Sequence, residues 1–502
     1  MKKIAFIFTV ALGLLTVSCD SYMDINQDPS SPSEENMTTD ILMPAAEMNF
    51  VSSYGDAMRI IGGYLSQHYT QTFGTSNYLE YSKFNVTATN TSTTYAQINS
   101  RALKNLTTVR QLAEKNGEWG SYLAAATMRA FIYQALVDAY GEIPYSEAFS
   151  GSTSPKYDDG ADIYAGILAE IDDALGKVQA GDKVATNFLF PDKNASEWIK
   201  FANAVKLKIL MREYDVNSAA AAQVKAIVEE GNLPTADVAY KGCWKNEAGA
   251  MSPFYAEEFS ASWGSTQINV VANLALINTM QQTNASGDVT YEDPRLAKYF
   301  EKNGSGAYTG GVSGTNFSTT NSYKTDYWCR PVASFDMPVY MITLSEIEFF
   351  ISEYYARTGN AGEAKAHYEA AIEASCATAG VGDADKVIAQ FPYEQSNWKK
   401  SIGVAKWMAL AGTNNFESWC ELRRLDYPAM GTVSGDAIYN EQTDAFKPTL
   451  YVPGTLYTPI KVEDKVGAGK IVERWFYPES STSRNANSPE FPGFTVPVFW
   501  GK

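Results

Sequence analysis

The sequence is poor in the residues on which many active sites depend. Only two histidines occur among 502 residues, His68 and His367, and neither lies in a metal-binding or triad-like motif. A Ser-His-Asp triad and a catalytic zinc site both need histidine in contact with specific partners. We therefore expect neither, and we predict no metal site. The sequence contains no P-loop, and Gly304-Ser-Gly306 lacks the third glycine of a dinucleotide fingerprint, so we expect no cofactor.

Cysteine is also scarce. Beyond Cys19 there are four, and none shows a C-x-x-C spacing; they are Cys243, Cys329, Cys376 and Cys420. We expect buried free thiols, with a Cys243–Cys329 bridge as the open alternative in an oxidising compartment.

Positive charge and long apolar runs are lacking as well. The formal net charge is −17 and the pI is near 4.7, so a polyphosphate partner would be repelled and we expect no nucleic-acid binding. A membrane-spanning helix needs about 20 apolar residues, and no window past the N-terminus reaches that length without charges. A glycosidase needs only two suitably spaced carboxyl groups, and with 57 acidic residues in the chain their number does not exclude such a pair. The adjacent pairs, however, are expected on the solvated surface: Asp158–Asp159, Asp172–Asp173 and Glu257–Glu258. We predict that the protein is not an enzyme.

The N-terminus has the pattern of an exported, lipidated protein. Lys2 and Lys3 precede an apolar segment, residues 4–17, that has the length of a secretory signal core. The residues before Cys19 resemble the lipobox of bacterial lipoproteins, and a polar, Pro- and Ser-rich strip follows it. We predict a signal peptide over residues 1–18, lipidation at Cys19 and a tether over residues 19–40. Several acyl chains hold a protein on a membrane without a spanning helix.

Past the tether, helical patterns alternate with loop-rich stretches. The segments 121–149, 163–175 and 197–214 repeat small or apolar residues at helical spacing. Glycine, serine, threonine, asparagine and proline dominate elsewhere. The pattern predicts a mostly α fold with a helical-repeat scaffold, residues 41–235 and 340–427. A loop-rich variable lobe, residues 236–339 and 428–502, is interleaved with it.

One segment predicts what the scaffold is made of. Thr343 and Glu346 form a T-x-x-E capping box, and Asn360 with Glu363 forms a weaker one. Gly359 lies between two stretches with apolar residues at helical spacing, and a glycine there can adopt the left-handed conformation that ends a helix. The resulting helix hairpin resembles the tetratricopeptide repeat, which must stack on further helix pairs to cover its apolar face.

These features together resemble the SusD/RagB family of outer-membrane lipoproteins, specifically its SusD-like branch. The matching stretches are the tether MDINQDPSSP, VDAYGEIPYSEAF, EWIKFANAVKLKILMR, YEDPRLAKYF, the repeat hairpin, VAKWMALAGTNNFESWCELRRLDYP and RWFYPES. Thr16 replaces the usual leucine of the lipobox, and the chain ends in PVFWGK rather than a Trp-Trp-Asp-like close. Residues 241–338 match poorly apart from DPRL.

The resemblance implies a lipid-anchored protein of the outer membrane, expected on the cell surface, that binds glycans without cleaving them. Members of the family act as lids on a SusC-like, TonB-dependent β-barrel transporter and deliver oligosaccharides to it. A RagB-like lid that imports peptides with the same partner is the first alternative. A surface glycosidase is the second.

Aromatic residues in three loop-like stretches are the candidate ligand contacts. Sugars present apolar C–H faces between hydroxyl groups, so a binder needs flat rings flanked by amides or carboxylates. The candidates share this setting, and they are Tyr78, Tyr81, Trp244, Tyr255, Trp263, Tyr323, Tyr327 and Trp328. The alternative is that these rings pin long loops to the scaffold.

Overall fold

The computed structural model describes residues 37–71, 77–191, 194–260, 269–315 and 328–501. Within these residues α-helices joined by loops make up most of the regular structure. In the first half of the chain they are α1 (Thr39–Ser53), α2 (Arg59–Leu65), α3 (Leu79–Ser82), α4 (Ser92–Gln97), α5 (Lys104–Asn116), α6 (Trp119–Tyr140), α7 (Gly160–Lys177), α8 (Ala195–Arg212) and α9 (Ala220–Glu230). Two π-helical turns, Tyr54–Met58 and Ile98–Leu103, join α1 to α2 and α4 to α5.

The second half continues the helical pattern with shorter elements. Its helices are α10 (Pro253–Glu258), α11 (Leu274–Met280), α12 (Leu296–Tyr299), α13 (Leu344–Arg357), α14 (Ala361–Thr378), α15 (Ala384–Gln390), α16 (Trp398–Leu410), α17 (Asn415–Leu425), α18 (Gly435–Ile438) and α19 (Glu479–Thr482). Gln395–Asn397 and Pro448–Leu450 form 3₁₀ turns. The predicted mostly α fold is confirmed.

Strands are short and pair only two at a time in the described residues. They are β1 (Tyr69–Gln71), β2 (Val238–Tyr240), β3 (Val270–Ala272), β4 (Gln281–Thr283), β5 (Val289–Glu292), β6 (Val339–Ile342), β7 (Met430–Ser434), β8 (Tyr439–Asn440), β9 (Ala445–Phe446) and β10 (Leu456–Thr458). The antiparallel pairs are β1–β3, β2–β6, β4–β5 and β8–β9, whereas β7–β10 is parallel. These ribbons fasten loop-rich segments to the helices.

Helix α6 lies at the centre of the core. Every residue from Gly120 to Tyr140 is buried, which fits its many alanines because small side chains let neighbouring helices approach on all sides. The helix ends at Tyr140, where Gly141 takes a φ of +86°. The helix predicted within residues 121–149 is therefore present, and it ends directly before a glycine with positive φ.

The predicted repeat hairpin is formed by α13 and α14. Thr343 and Glu346 make the reciprocal capping box, and Gly359 has a φ of +79° in the turn. Asn360 accepts the Glu363 amide at 3.3 Å, so the second helix is also capped. The Ser352 hydroxyl donates to the Ala364 carbonyl at 2.7 Å and joins the two helices. The domain boundaries drawn from composition stay a prediction.

Both histidines make specific side-chain contacts. His367 lies with Nδ1 2.6 Å from Glu348 Oε2, and its ring stacks on Tyr355. His68 is fully buried beside Asn415 and Ser418, and burial lowers the pKa of its imidazole to about 3. Among the residues that the structure describes, neither histidine contacts a nucleophile–carboxylate pair of the kind that a triad needs.

Two of the acidic residues expected on the surface are buried. Asp158 accepts the backbone amides of Tyr145 and Ser146 at 3.0 and 2.8 Å. Glu258 accepts the Tyr78 hydroxyl at 2.6 Å. The expectation of a solvated surface is wrong for these two carboxylates, because adjacent acids in sequence alternate between inward and outward positions at loop and helix ends.

A third buried acid makes stability depend on pH. Glu47 in α1 is fully buried; Oε2 accepts the Phe188 amide at 2.7 Å, while Oε1 has no hydrogen-bond partner among the described residues. Burial raises the pKa of Glu47 to about 8. The folded state thus keeps a proton that the unfolded state releases above its pKa of about 4.5, so stability falls as pH rises through this window.

We expect Glu47→Gln to remove this dependence. Between about pH 5 and about pH 8, the free energy of unfolding of the wild type should fall by about 3 kcal/mol through the titration of Glu47 alone. The free energy of unfolding of the variant should fall correspondingly less. Urea unfolding at the two pH values measures the difference. The exposed Glu230→Gln serves as the control, and an unchanged pH profile in Glu47→Gln would contradict the assignment.

Candidate functional site

Two of the predicted tyrosines form one aromatic cluster. The Tyr78 and Tyr81 rings stack with centroids 5.6 Å apart and planes 12° apart. The buried Tyr64 ring meets both edge-on, at 5.8 Å from Tyr78 and 6.0 Å from Tyr81. Tyr81 is buried, whereas Tyr78 is only half-buried. Tyr78 is therefore the member of this stack that lies nearer the protein surface.

Hydrogen-bonding side chains surround this ring. The Tyr78 hydroxyl donates to Glu258 Oε1 at 2.6 Å, and the Asn269 backbone amide donates to Glu258 Oε2 at 3.2 Å. The exposed Asn77 donates from Nδ2 to Asn269 Oδ1 at 3.2 Å, and Tyr64 donates to the Asn269 carbonyl at 3.3 Å. We call Tyr64, Asn77, Tyr78, Tyr81, Glu258 and Asn269 the tyrosine cluster.

Ionisation of the cluster is suppressed by its burial. Burial raises the pKa of the Glu258 carboxyl above its usual range, against the lowering effect of the Tyr78 hydroxyl. Burial, followed by the charge of Asp56, raises the pKa of Tyr81 to about 12. Both tyrosines stay neutral at physiological pH, so the cluster offers ring faces and hydrogen bonds rather than a nucleophile.

Local structure explains why distant segments meet here. Strands β1 and β3 pair with Gln71 opposite Val270, which brings the residues after Gln71 next to those before Val270. Gln71 Oε1 then accepts the Tyr78 backbone amide at 3.0 Å and fixes the start of α3. Helix α10 supplies Glu258 as its last residue. Three segments remote in sequence thus converge on Tyr78.

An acidic groove lies beside the tyrosine cluster. It has a volume of about 430 Å³, and Asp56 and Glu257 are among its lining residues. Burial, followed by the charges of Glu257 and Glu258, raises the pKa of Asp56 to about 8. The groove therefore carries less negative charge near neutral pH than its two carboxyl groups imply.

The other predicted residues are distributed differently. Tyr255 lies on α10 with Glu258 and stacks on Phe259 at 6.1 Å, and it is half-buried. Trp244 is half-buried and donates from Nε1 to the Tyr240 carbonyl at 3.2 Å. Trp328 is 2 % exposed and meets Phe446 edge-on at 6.3 Å, so its position is that of a packing residue. The remaining predicted residues lie outside the described part of the chain: Cys19, Trp263, Tyr323 and Tyr327.

Sequence reasoning missed four members of the cluster, including Tyr64, which lies in an apolar helical stretch and looks like a core residue. Asn77 directly precedes Tyr78, and an amide beside a loop tyrosine is the signal that could have indicated it. Glu258 is expected on the surface from its sequence context, and Asn269 is a single polar residue before a short apolar strand, with no motif around it. Only the β1–β3 pairing brings these residues to Tyr78, and strands of three residues leave little periodicity to detect.

The described residues show no arrangement typical of metal or thiol chemistry. They contain no group of three His, Cys, Asp or Glu side chains that could hold a metal ion. The four cysteines in the described ranges are free, and three of them are buried, as predicted. Over the same residues, no helix combines the length and apolar character needed to cross a bilayer.

Comparison with known proteins identifies the fold. A homologue of SusD from Bacteroides uniformis matches with a TM-score of 0.70 and 22% identity, covering 91% of this chain and 98% of that one. A SusD-like protein from Bacteroidetes matches with a TM-score of 0.71 and 18% identity over 93% and 100% of the two chains. A chitin-binding protein matches with a TM-score of 0.68 and 20% identity over 91% and 99%. No protein in the curated set matches the sequence.

The sequence itself matches a family model. Residues 29–448 fit SusD-like_2, whose description reads "Starch-binding associating with outer membrane". The match extends over the scaffold, the tyrosine cluster and most of the loop-rich segments. The chain belongs to this SusD-like family.

Proposed function

We propose that the protein is a lipid-anchored, non-catalytic glycan-binding protein that delivers oligosaccharides to a SusC-like, TonB-dependent transporter in the outer membrane. The observation that carries this proposal is the half-buried Tyr78 ring, stacked on Tyr81 and bordered by Glu258, Asn77 and Asn269. The ring supplies a face for sugar C–H groups, and the amides and carboxyl supply partners for hydroxyl groups. Family membership, with its description as starch-binding, supports the same ligand class.

The cluster predicts weak binding. An open surface buries little of the ligand, so a dissociation constant in roughly the micromolar to millimolar range is expected. Weak binding suits delivery, because a ligand held tightly would not pass on to a transporter. Lipidation at Cys19 would raise the effective concentration of the bound ligand at the membrane.

Tyr78→Ala tests the binding site directly. We expect at least about tenfold weaker binding of maltoheptaose or chitohexaose, about 1.4 kcal/mol, with a melting temperature close to that of the wild type because Tyr78 is only half-buried. Calorimetric titration measures the affinity. Tyr78→Phe keeps the ring but loses the hydrogen bond to Glu258, so its affinity should lie between those of the wild type and Tyr78→Ala. Tyr355→Ala removes a half-buried ring of the repeat hairpin and should bind like the wild type.

A large β-barrel is the proposed partner. Stacked helix pairs offer a broad surface, and we expect the helical-repeat face to supply most of the contact. The protein should co-purify with a TonB-dependent barrel from detergent-solubilised outer membranes. Recovery of the monomer alone, under conditions that keep the barrel soluble, would count against this partner.

A peptide-import lid is the second candidate. The groove beside the tyrosine cluster favours it, because the Glu257 carboxylate on its lining can pair with a peptide amine, whereas Asp56 keeps its proton near neutral pH. Binding to a peptide library with no response to glycans would support this function. Release of reducing sugar ends from a bound glycan would instead support a glycosidase.

A further inference from the structure

A second groove lies at the other end of the β1–β3 ribbon from the tyrosine cluster. At one end of the ribbon, Asn269 contacts Glu258 and Gln71 contacts Tyr78. At the other end, the Asn273 amide donates to the His68 carbonyl at 2.9 Å, and Leu274 opens onto the groove. At roughly 3.3 Å per residue, the stretch from Asn269 to Leu274 spans roughly 15 Å. The two surfaces are therefore neighbouring but separate.

The groove has the size of a small-molecule site. Its volume of about 580 Å³ exceeds the 430 Å³ of the acidic groove and lies within the range of small-molecule sites. Its lining comes from helix α11, the β4–β5 hairpin, residues 308–310 and the segment from Phe446 to Pro453. The groove thus joins residues 274–310 to residues 446–453, two parts of the chain that are remote in sequence.

The chemistry of the lining is uncharged throughout the described residues. Amides come from Asn278, Gln281, Gln282 and Asn284, and hydroxyls come from several threonines, including Thr449. Ring surface comes from aromatic side chains: Tyr308, Phe446 and Tyr451. Amides beside aromatic rings match the alternating hydroxyl groups and apolar faces of a sugar. No described lining residue carries the counter-charge that an acidic ligand or a peptide terminus would need.

Contacts behind the lining hold it in place. Gln282 Oε1 accepts the Gln390 side-chain amide at 3.0 Å, and Asn278 Nδ2 donates to the Pro448 carbonyl at 3.4 Å. Phe446 meets the buried Trp328 ring edge-on. The exposed Lys302, which is not a lining residue, lies with its ammonium 5.1 Å from the centre of the Tyr308 ring. Trp328, predicted as a ligand contact, thus supports a groove wall from behind.

We infer that this groove binds an uncharged stretch of oligosaccharide, as a second contact region beyond the tyrosine cluster. The inference rests on the proposed function and narrows its ligand to neutral glycans. The net charge of −17 acts in the same direction, because it repels acidic polysaccharides such as those built from uronic acids.

Calorimetric titration of the full-length protein in detergent tests the inference. The probes are maltoheptaose, chitohexaose and the anionic trigalacturonate. Thr449→Trp fills the groove from its exposed rim, and Asn278→Ala removes an amide from its wall. Thr482→Trp, an exposed threonine outside the groove lining, is the matched control. Melting temperatures establish that each variant is folded.

We expect the wild type to bind at least one neutral probe and to give no measurable heat with trigalacturonate. Thr449→Trp and Asn278→Ala should each lower the affinity for the neutral probe by about tenfold, whereas Thr482→Trp should bind it like the wild type. Wild-type affinity in both groove variants would overturn the groove and leave the proposed function standing. Trigalacturonate binding as tight as that of the neutral probes would overturn the restriction to neutral glycans. If the wild type binds neither neutral probe, the proposed function is overturned together with the groove.

Discussion

Replacing Glu421 with Gln is expected to lower the free energy of unfolding by roughly 3–5 kcal/mol, because it removes one charge from a buried ion cluster. Glu421 is 3 % exposed and contacts three cations. Lys406 Nζ and Arg424 Nη2 each lie 2.7 Å from its Oε2, and Arg212 contacts its Oε1. The substitution leaves these cations buried with too little counter-charge.

The cluster joins five helices. Its acids are Asp138 in α6, Glu353 in α13, and Glu417 and Glu421 in α17; its bases are Lys208 and Arg212 in α8, Lys406 in α16 and Arg424 in α17. Arg357 extends the cluster, since it lies 2.8 Å from Glu353 and 2.6 Å from Asp215. With this added pair, acids and bases are equal in number, five of each. The paired cations hold the pKa of Glu421 well below its usual range, which keeps it charged in the folded protein.

Urea unfolding of the variant and the wild type measures the loss. Glu229→Gln is the matched control, since Glu229 pairs with Lys225 at 3.7 Å on the exposed surface and should contribute less than about 1 kcal/mol. A loss in Glu421→Gln as small as in the control would show that the cluster does not hold the helices together.

Gly62→Ala is expected to destabilise the protein by at least about 3 kcal/mol or to prevent folding. A Cβ atom on Gly62 would lie 2.4 Å from Phe416 Cα and 2.7 Å from the Asn415 carbonyl oxygen. Because both neighbours are backbone atoms, helices α2 and α17 would have to separate. Thermal unfolding of the purified variant, or its yield of soluble protein, measures the effect.

Gly176→Ala provides the contrast. Gly176 lies in the exposed part of α7, and a Cβ atom there meets nothing within 4 Å. Alanine should stabilise this helix by about 0.5–1 kcal/mol. Equal behaviour of the two variants would contradict the close approach of α2 to α17.

The sequence predicted those parts of the fold whose signals are local. The capping residues Thr343 and Glu346 and the turn at Gly359 lie within one helix hairpin, and the structure confirms each of them. The alanine-rich helix that ends before Gly141 is a second case. The ion pairs of Arg424 at the end of α17 are partly local, since Glu421 lies three residues before it, and partly long-range, since Glu353 lies in α13.

Long-range pairing was not predictable in the same way. Glu258 looks like a surface acid until the β1–β3 ribbon brings Asn269 and Tyr78 to it. The aromatic content of residues 236–339 indicated recognition surfaces, but composition does not separate the half-buried Tyr255 from the buried Trp328. Ligand contacts of individual rings therefore stay predictions, including those of Trp263, Tyr323 and Tyr327.

Binding of the full-length protein to a glycan array, with a peptide array and a reducing-end release assay run alongside, tests the central proposal most directly. The account predicts retention of at least one neutral oligosaccharide, loss of that signal in Tyr78→Ala and no release of reducing ends. Peptide binding with silence on every glycan, or release of reducing ends from a bound glycan, would contradict it.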